Sequence, residues 1–108
     1  MQQRIRWVAA AEGPIVIDGL CFSACTLVLS RRDVCVTPRA ILGFHEAFHK
    51  TTGLPAPEAT AGMYAMYPAP VRAWIDRHGG LTRRPLLVAG DELRALVRPC
   101  DEAIVASP

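Results

Sequence analysis

Residues 15–45 read IVIDGLCFSACTLVLSRRDVCVTPRAILGFH, and this stretch decides the fold. It contains short apolar runs, rich in β-branched residues, at 15–17, 34–36 and 40–44, and such runs predict buried strands. Residues 21–30 are small and apolar without a helix breaker, so they predict a buried helix that is entered through a tight turn. Strands that alternate with helices predict an α/β fold built on a parallel sheet covered on both faces.

The rest of the chain continues this alternation. Residues 4–12 predict the end of a helix, stopped by Gly13 and Pro14. Residues 58–78 predict a helix that Pro68 and Pro70 divide, because proline cannot donate a backbone hydrogen bond. Four further elements are predicted: a loop at 50–57, a strand at 86–89, a helix at 91–97 and a strand at 103–106. A chain of 108 residues supports only one core, so we predict a single domain over residues 1–108.

The composition argues against several kinds of partner. The formal net charge is +2, and basic and acidic residues are interleaved, so we predict no nucleic-acid partner. No apolar run approaches the roughly 20 residues that a spanning helix needs, so we predict no membrane span. No cofactor is predicted either.

Four cysteines, Cys21, Cys25, Cys35 and Cys100, are many for so short a chain. Their spacings do not match the paired C-x2-C knuckles of zinc sites. We interpret them as one or two disulfides, which predicts a periplasmic or secreted protein whose export signal lies outside this sequence. Four buried thiols are the alternative.

The run His45-Glu46-Ala47-Phe48-His49 spells the H-E-x-x-H pattern of zinc metallopeptidases. That chemistry needs both histidines on one helical face and a third ligand. Gly43 precedes the pair, and Gly53 and Pro55 follow it, which leaves barely two turns for a helix. We therefore predict no metal site and keep a zinc metallopeptidase as a distant alternative.

A serine and a histidine stand at predicted strand ends. Ser23 opens the predicted helix, and a sharp strand-to-helix turn exposes a hydroxyl while the Ala24 N–H faces a developing oxyanion. His45 ends the third strand, and the carboxyl ends of parallel strands share one edge. The spacing therefore predicts that Ser23 and His45 can meet. The alternative is that Ser23 caps the helix and His45 is an ordinary loop residue.

Residues 16–45 resemble the core of the Clp protease and crotonase superfamily in the order of their strands, Ser-bearing turn, helix and final histidine. The motifs GLCFSACTLVL and LGFHEA, with YPAPVRAWIDRHGGL and AGDELRALVRPC further on, are similar to a group of periplasmic Clp-protease-like proteins. The resemblance implies a crotonase-like (ClpP-like) spiral core of parallel β-sheet with helices. It also implies Ser23 as nucleophile, His45 as general base and Ala24 as an oxyanion donor.

The chain departs from that family in two respects. The family's acid, which orients the histidine, precedes a late strand, but the matching residues here are Thr82-Arg83-Arg84-Pro85. Asp91, Asp76 or Glu58 would have to replace it from another direction. The second oxyanion donor belongs to a segment before this chain begins, so the resemblance implies an N-terminally incomplete domain. A second copy or a partner chain would then complete the sheet edge.

The resemblance implies an exported serine hydrolase for peptide or ester substrates, with little activity if the acid is missing. The alternative is a catalytically inactive binding or structural module. His45 is then explained without a metal, and we predict that His45 and His49 do not converge. If the strand of Cys35 neighbours the segment before Cys100, a bridge between them would fasten the C-terminal segment to the sheet. Cys21 and Cys25 would pair or stay reduced.

Overall fold

The structure, a computed structural model, describes residues 5–7, 15–31 and 33–100, and this part of the chain is an α/β fold. The strands are β1 Ile5–Trp7, β2 Ile15–Ile17, β3 Leu20–Phe22, β4 Val34–Val36, β5 Ile41–Phe44 and β6 Leu86–Ala89. The helices are a 3-10 helix at Ser23–Ser30, then α1 Pro57–Met66, α2 Ala69–Arg77 and α3 Gly90–Arg94.

The strands form two three-stranded sheets, each with one parallel and one antiparallel pair. In the first sheet β2 lies between β1 and β4, and in the second β5 lies between β3 and β6. The β2–β4 and β3–β5 pairs are parallel. β1 and β6 pair antiparallel with their neighbours. The prediction of an all-parallel sheet is therefore wrong. β1 and β6 each add an antiparallel edge strand to a parallel pair, so both sheets are mixed.

The two parallel pairs are joined end to end by short connections, residues 18–19 on one side and residues 37–40 on the other. Asp18 is 4% exposed at this junction. Its carboxylate accepts a 2.7 Å hydrogen bond from Thr37 and bonds of 3.0 and 2.6 Å from the Arg39 guanidinium. The bond to Asp18 and its negative charge raise the pKa of Arg39. A buried carboxylate with these partners stabilises the junction because its charge is compensated.

One core cluster contains residues of both sheets, of the 3-10 helix and of α2. Val71, Trp74 and Ile75 of α2 are buried, and their spacing of three and four residues gives the helix one apolar face. The Phe44 ring lies 5.2 Å from the Tyr67 ring in an edge-on arrangement and 6.0 Å from the Trp74 ring. The residue before His45 is therefore held firmly in the core.

Several predicted elements need correction. Residues 5–7, expected within a helix, form β1, and the rest of that predicted helix lies outside the described residues. The helix expected from residue 21 begins only at Ser23, because residues 20–22 hydrogen-bond to β5 as a strand. The predicted division of the 58–78 helix is confirmed, with Pro70 in the first turn of α2, where its missing N–H costs nothing. The predicted strand at 103–106 lies outside the described residues.

Candidate functional site

Ser23 and His45 follow two strands that are paired in parallel. The register aligns Phe22 of β3 with Gly43 of β5, so Ser23 lies level with Phe44, and His45 is one residue further along. One residue corresponds to about 3.3 Å along a strand. The structure thus brings both residues to the same edge of the second sheet. They do not hydrogen-bond to each other in the described part of the chain.

The Ser23 backbone adopts a conformation that serine rarely takes. Its φ is +53°, and no other described residue besides glycine has a positive φ. The left-handed region costs a residue with a Cβ roughly 1–2 kcal/mol. The preceding Phe22 is extended, and it serves as the helix N-cap without a side-chain cap bond. Ser23 is therefore the pivot of a sharp strand-to-helix turn rather than a capping residue.

Gly43 makes room for this turn on the neighbouring strand. A Cβ built on Gly43 would lie 2.9 Å from three carbons of the Phe22 ring, so the ring packs directly over the glycine backbone. Real Cβ atoms do not approach other carbons so closely, and any larger residue would push the ring away. The glycine therefore fixes the position of Phe22, the last residue before Ser23.

A disulfide encloses the turn. Cys21 and Cys25 are bonded four positions apart, with Ser23 between them and a Cα–Cα distance of 5.2 Å. An extended chain would separate these Cα atoms by roughly 13 Å. In the chain-entropy model, closing so short a loop stabilises the folded state by about 2 kcal/mol. This is as large as the cost of the left-handed serine, so the bridge can offset that cost.

Two buried hydroxyls hold the other side of the turn. Thr26 Oγ1 donates to the Ser23 carbonyl at 2.5 Å, and the Tyr67 hydroxyl lies 2.5 Å from Thr26 Oγ1. Threonine has one hydroxyl hydrogen, so Tyr67 must be the donor in the second bond. Burial raises the pKa of Tyr67 because it disfavours the charged phenolate. Tyr67 also packs on Phe44, so it contacts both the 3-10 helix and the end of β5.

The His45 ring is oriented by a main-chain atom. Its Nδ1 lies 2.7 Å from the carbonyl oxygen of Glu46. A carbonyl oxygen can only accept, so Nδ1 carries the hydrogen and Nε2 of the neutral ring carries a lone pair. The ring also stacks on Phe48, with centroids 6.2 Å apart. The arrangement therefore selects the tautomer in which Nε2 can accept a proton.

The three carboxylates expected to assist His45 have other surroundings. Asp76 accepts a hydrogen bond from the Tyr64 hydroxyl, 2.9 Å from each oxygen, and this bond raises the pKa of Tyr64. Asp91 pairs with an arginine three residues later in α3. Glu58 lines a cavity of about 320 Å³ at the start of α1. None of the three hydrogen-bonds the His45 ring in the described part of the chain.

Residues 82–85, where the resemblance would require an acid, contact the segment after His45. The Thr82 carbonyl accepts a 2.8 Å hydrogen bond from the Glu46 N–H. This segment contacts the residues after His45 through a main-chain oxygen, and none of residues 82–85 is acidic.

The H-E-x-x-H run does not form a helix. His49 N–H donates to the Leu54 carbonyl at 2.9 Å, and Phe48 forms an antiparallel bridge with Pro55. Residues 47–56 are thus a tight hairpin, and the helical face that a zinc peptidase needs is not formed. Among the described residues no group of three or more His, Cys, Asp or Glu side chains could hold a metal ion.

The second disulfide joins Cys35 to Cys100, as predicted. The two residues are 65 positions apart, and their Cα atoms are 4.9 Å apart. The Cys100 N–H donates to the Val36 carbonyl at 2.9 Å, so residues 99–100 pair alongside β4. The bridge fastens the C-terminal segment to the first sheet. Two disulfides are typical of proteins from oxidising compartments.

The sequence did not reveal Thr26, Tyr67 or the Glu46 carbonyl as parts of this site. A buried tyrosine hydroxyl usually requires a partner, but nothing in the sequence marks Thr26 as that partner. No described helix has the length and apolar character needed to cross a membrane. Comparison with protein-family models, curated proteins and solved structures finds no match to this chain.

Proposed function

We propose that this chain is an exported serine hydrolase of crotonase-like fold that cleaves peptide or ester bonds through Ser23 and His45. The observation that carries the proposal is the left-handed Ser23 at the junction of a strand and a helix. Costly backbone conformations at residues other than glycine cluster at active sites, because the conformation itself presents the reactive group. A serine in this position combines an accessible hydroxyl with the backbone N–H groups of a helix start.

The position of His45 supports the role of general base. The bond from Nδ1 to the Glu46 carbonyl leaves the Nε2 lone pair available for the Ser23 proton. In a Ser-His-Asp triad the acid selects this tautomer and also stabilises the imidazolium. A neutral carbonyl performs the first task, and its partial charge performs the second only weakly. We therefore expect slow turnover rather than none.

The reaction proceeds in two halves. The Ser23 oxygen attacks the substrate carbonyl carbon while Nε2 of His45 takes the hydroxyl proton, and the Ala24 N–H donates to the resulting oxyanion. The imidazolium then protonates the leaving amine or alcohol, which leaves an acyl ester on Ser23. Water, deprotonated by His45, hydrolyses that ester. No cofactor or metal is required.

For catalysis the Ser23 and His45 side chains would have to engage at the sheet edge that they share. The register puts His45 about one residue beyond the level of Ser23 on the adjacent strand. Catalytic hydrogen bonds are often formed only once substrate is bound, so their absence beforehand does not argue against the pair. The imidazole is partly exposed and can rotate about its side-chain bonds.

A fluorophosphonate probe tests the proposal, because it reacts with activated serines and forms a stable adduct. We expect labelling of the folded protein, with the adduct on Ser23 by peptide mass spectrometry. Ser23→Ala should abolish it, and His45→Gln should reduce it severely. Ser30→Ala is the matched control, since Ser30 is the exposed last residue of the same helix. A folded wild-type protein that does not react would favour an inactive binding module instead.

A further inference from the structure

We propose that the Cys21–Cys25 disulfide is a positioning element for the nucleophile, whereas the Cys35–Cys100 disulfide serves stability alone. The inference rests on the proposed function and goes beyond it, because it makes the reactivity of Ser23 depend on the state of one of two bridges. The physical basis is that one bridge spans the residues that turn at Ser23, whereas the other closes a long loop, residues 35–100, that does not include Ser23.

The short bridge restrains the turn at both ends. Cys21 is fully buried in the middle of β3, where it pairs with Leu42, and Cys25 is 7% exposed on the helix. Neither anchor can shift without disturbing the core. The bond between them leaves the three intervening residues few conformations that close the loop, and the one adopted places Ser23 in the left-handed region.

The remaining restraint does not suffice to orient the hydroxyl. Thr26 holds only the Ser23 carbonyl, which lies on the helix side of the residue. Without the bridge, the left-handed conformation of Ser23 would compete with ordinary backbone conformations. Serine populates those ordinary conformations roughly 5- to 30-fold more than the left-handed one. A relaxed turn rotates the Ser23 hydroxyl and the Ala24 N–H together, so the nucleophile and the oxyanion donor are lost in one step.

The second bridge offers a matched control because it affects stability more strongly. Its loop is far longer, so in the chain-entropy model its removal destabilises the fold more than removal of the short bridge does. It joins β4 of the first sheet to the C-terminal segment and does not enclose Ser23. Loss of reactivity and loss of stability should therefore rank in opposite order in the two variants.

The experiment compares Cys21→Ala/Cys25→Ala with Cys35→Ala/Cys100→Ala in fluorophosphonate labelling at a temperature where circular dichroism shows both to be folded. We expect the first variant to label about tenfold more slowly than wild type and the second within twofold, although the second has the lower Tm. The pH profile of labelling in the first variant should keep its shape, because His45 and its bond to Glu46 are unchanged. Wild-type rates in the first variant, or equal losses in both, would overturn the inference.

A second measurement avoids the need for a variant that folds. Wild-type protein is partly reduced with dithiothreitol, which is oxidised to its cyclic disulfide as the bridge gains two hydrogens, then labelled and alkylated with iodoacetamide. Phosphonate should appear on Ser23 in peptides whose Cys21–Cys25 bond is intact and rarely in peptides alkylated at both cysteines. Equal labelling of both peptide forms refutes the positioning role alone, whereas unlabelled wild-type protein refutes the proposed function and this inference together.

Discussion

Replacing Ser23 with glycine should make the protein more stable, which is unusual for a change at a structured position. Glycine adopts a positive φ freely, so the roughly 1–2 kcal/mol cost of the left-handed serine disappears. The more flexible glycine also raises the entropy of the unfolded chain, and this reduces the gain in folding stability by about 0.5–1 kcal/mol. The Ser23 side chain forms no hydrogen bond in the described part of the chain that would be lost. The net expectation is stabilisation by about 0.5–1 kcal/mol.

Equilibrium urea denaturation measures this difference, and thermal unfolding gives a second estimate. For a domain of this size the gain corresponds to a Tm increase of roughly 2–6 °C. Ser30→Gly is the control, because it makes the same substitution at the other end of the same helix at a residue without a positive φ. That control should destabilise the protein by up to about 1 kcal/mol.

The result that refutes this reasoning is a loss of stability in Ser23→Gly equal to that in Ser30→Gly. The Ser23 conformation would then carry no cost, and the main argument for a nucleophile at this turn would lose its support. Stabilisation together with complete loss of fluorophosphonate labelling would instead mean that the serine is retained at the expense of stability, as is expected at functional positions.

Two further changes test the packing around the turn. Gly43→Ala should destabilise the protein by about 1–3 kcal/mol in urea denaturation, because the new Cβ would lie 2.9 Å from the Phe22 ring. Gly62→Ala in α1, where the Cβ meets open space, should stabilise it by about 0.5–1 kcal/mol, and equal effects would contradict the close contact at Gly43. Tyr67→Phe removes the hydrogen bond to Thr26 and should cost about 1 kcal/mol at neutral pH. Because burial raises the pKa of Tyr67 in the folded state, stability is present below the tyrosine pKa of the unfolded chain and is lost as pH rises through the higher folded value. The variant should therefore lose less stability than wild type above about pH 10, and identical alkaline losses would show that the Tyr67 pKa is not raised.

The strands that sequence reasoning found are those with an unambiguous local pattern. Residues 15–17 and 34–36 are three-residue apolar runs rich in β-branched side chains, and both form buried strands. β3 was missed because residues 20–22 run directly into the apolar helix, and only the hydrogen bonds to β5 separate the two elements. β1 was missed for a similar reason. It is a strand because it hydrogen-bonds to β2, and its own residues do not indicate that pairing.

The candidate site could be predicted where it depends on the ends of strands and not where it depends on main-chain atoms. Ser23 and His45 were identified because the C-terminal ends of neighbouring parallel strands lie at the same edge of a sheet. The carbonyl that orients the His45 ring belongs to Glu46, and every residue has such a carbonyl, so no residue type marks its role. Thr26 and Tyr67 meet only after folding, 41 positions apart. Their contact depends on how the end of α1 packs against the 3-10 helix.

The distribution of restraints around the site indicates which step limits the proposed reaction. Ser23 is held by a disulfide and by the Thr26–Tyr67 pair, so its geometry is strongly fixed. His45 is oriented by one hydrogen bond to a neutral carbonyl and by a ring contact on a half-exposed Phe48. An uncharged acceptor stabilises the imidazolium far less than a carboxylate does. Proton transfer to His45, rather than presentation of the serine, should therefore set the rate, and a nearby negative charge would accelerate the reaction more than any further rigidity at the turn.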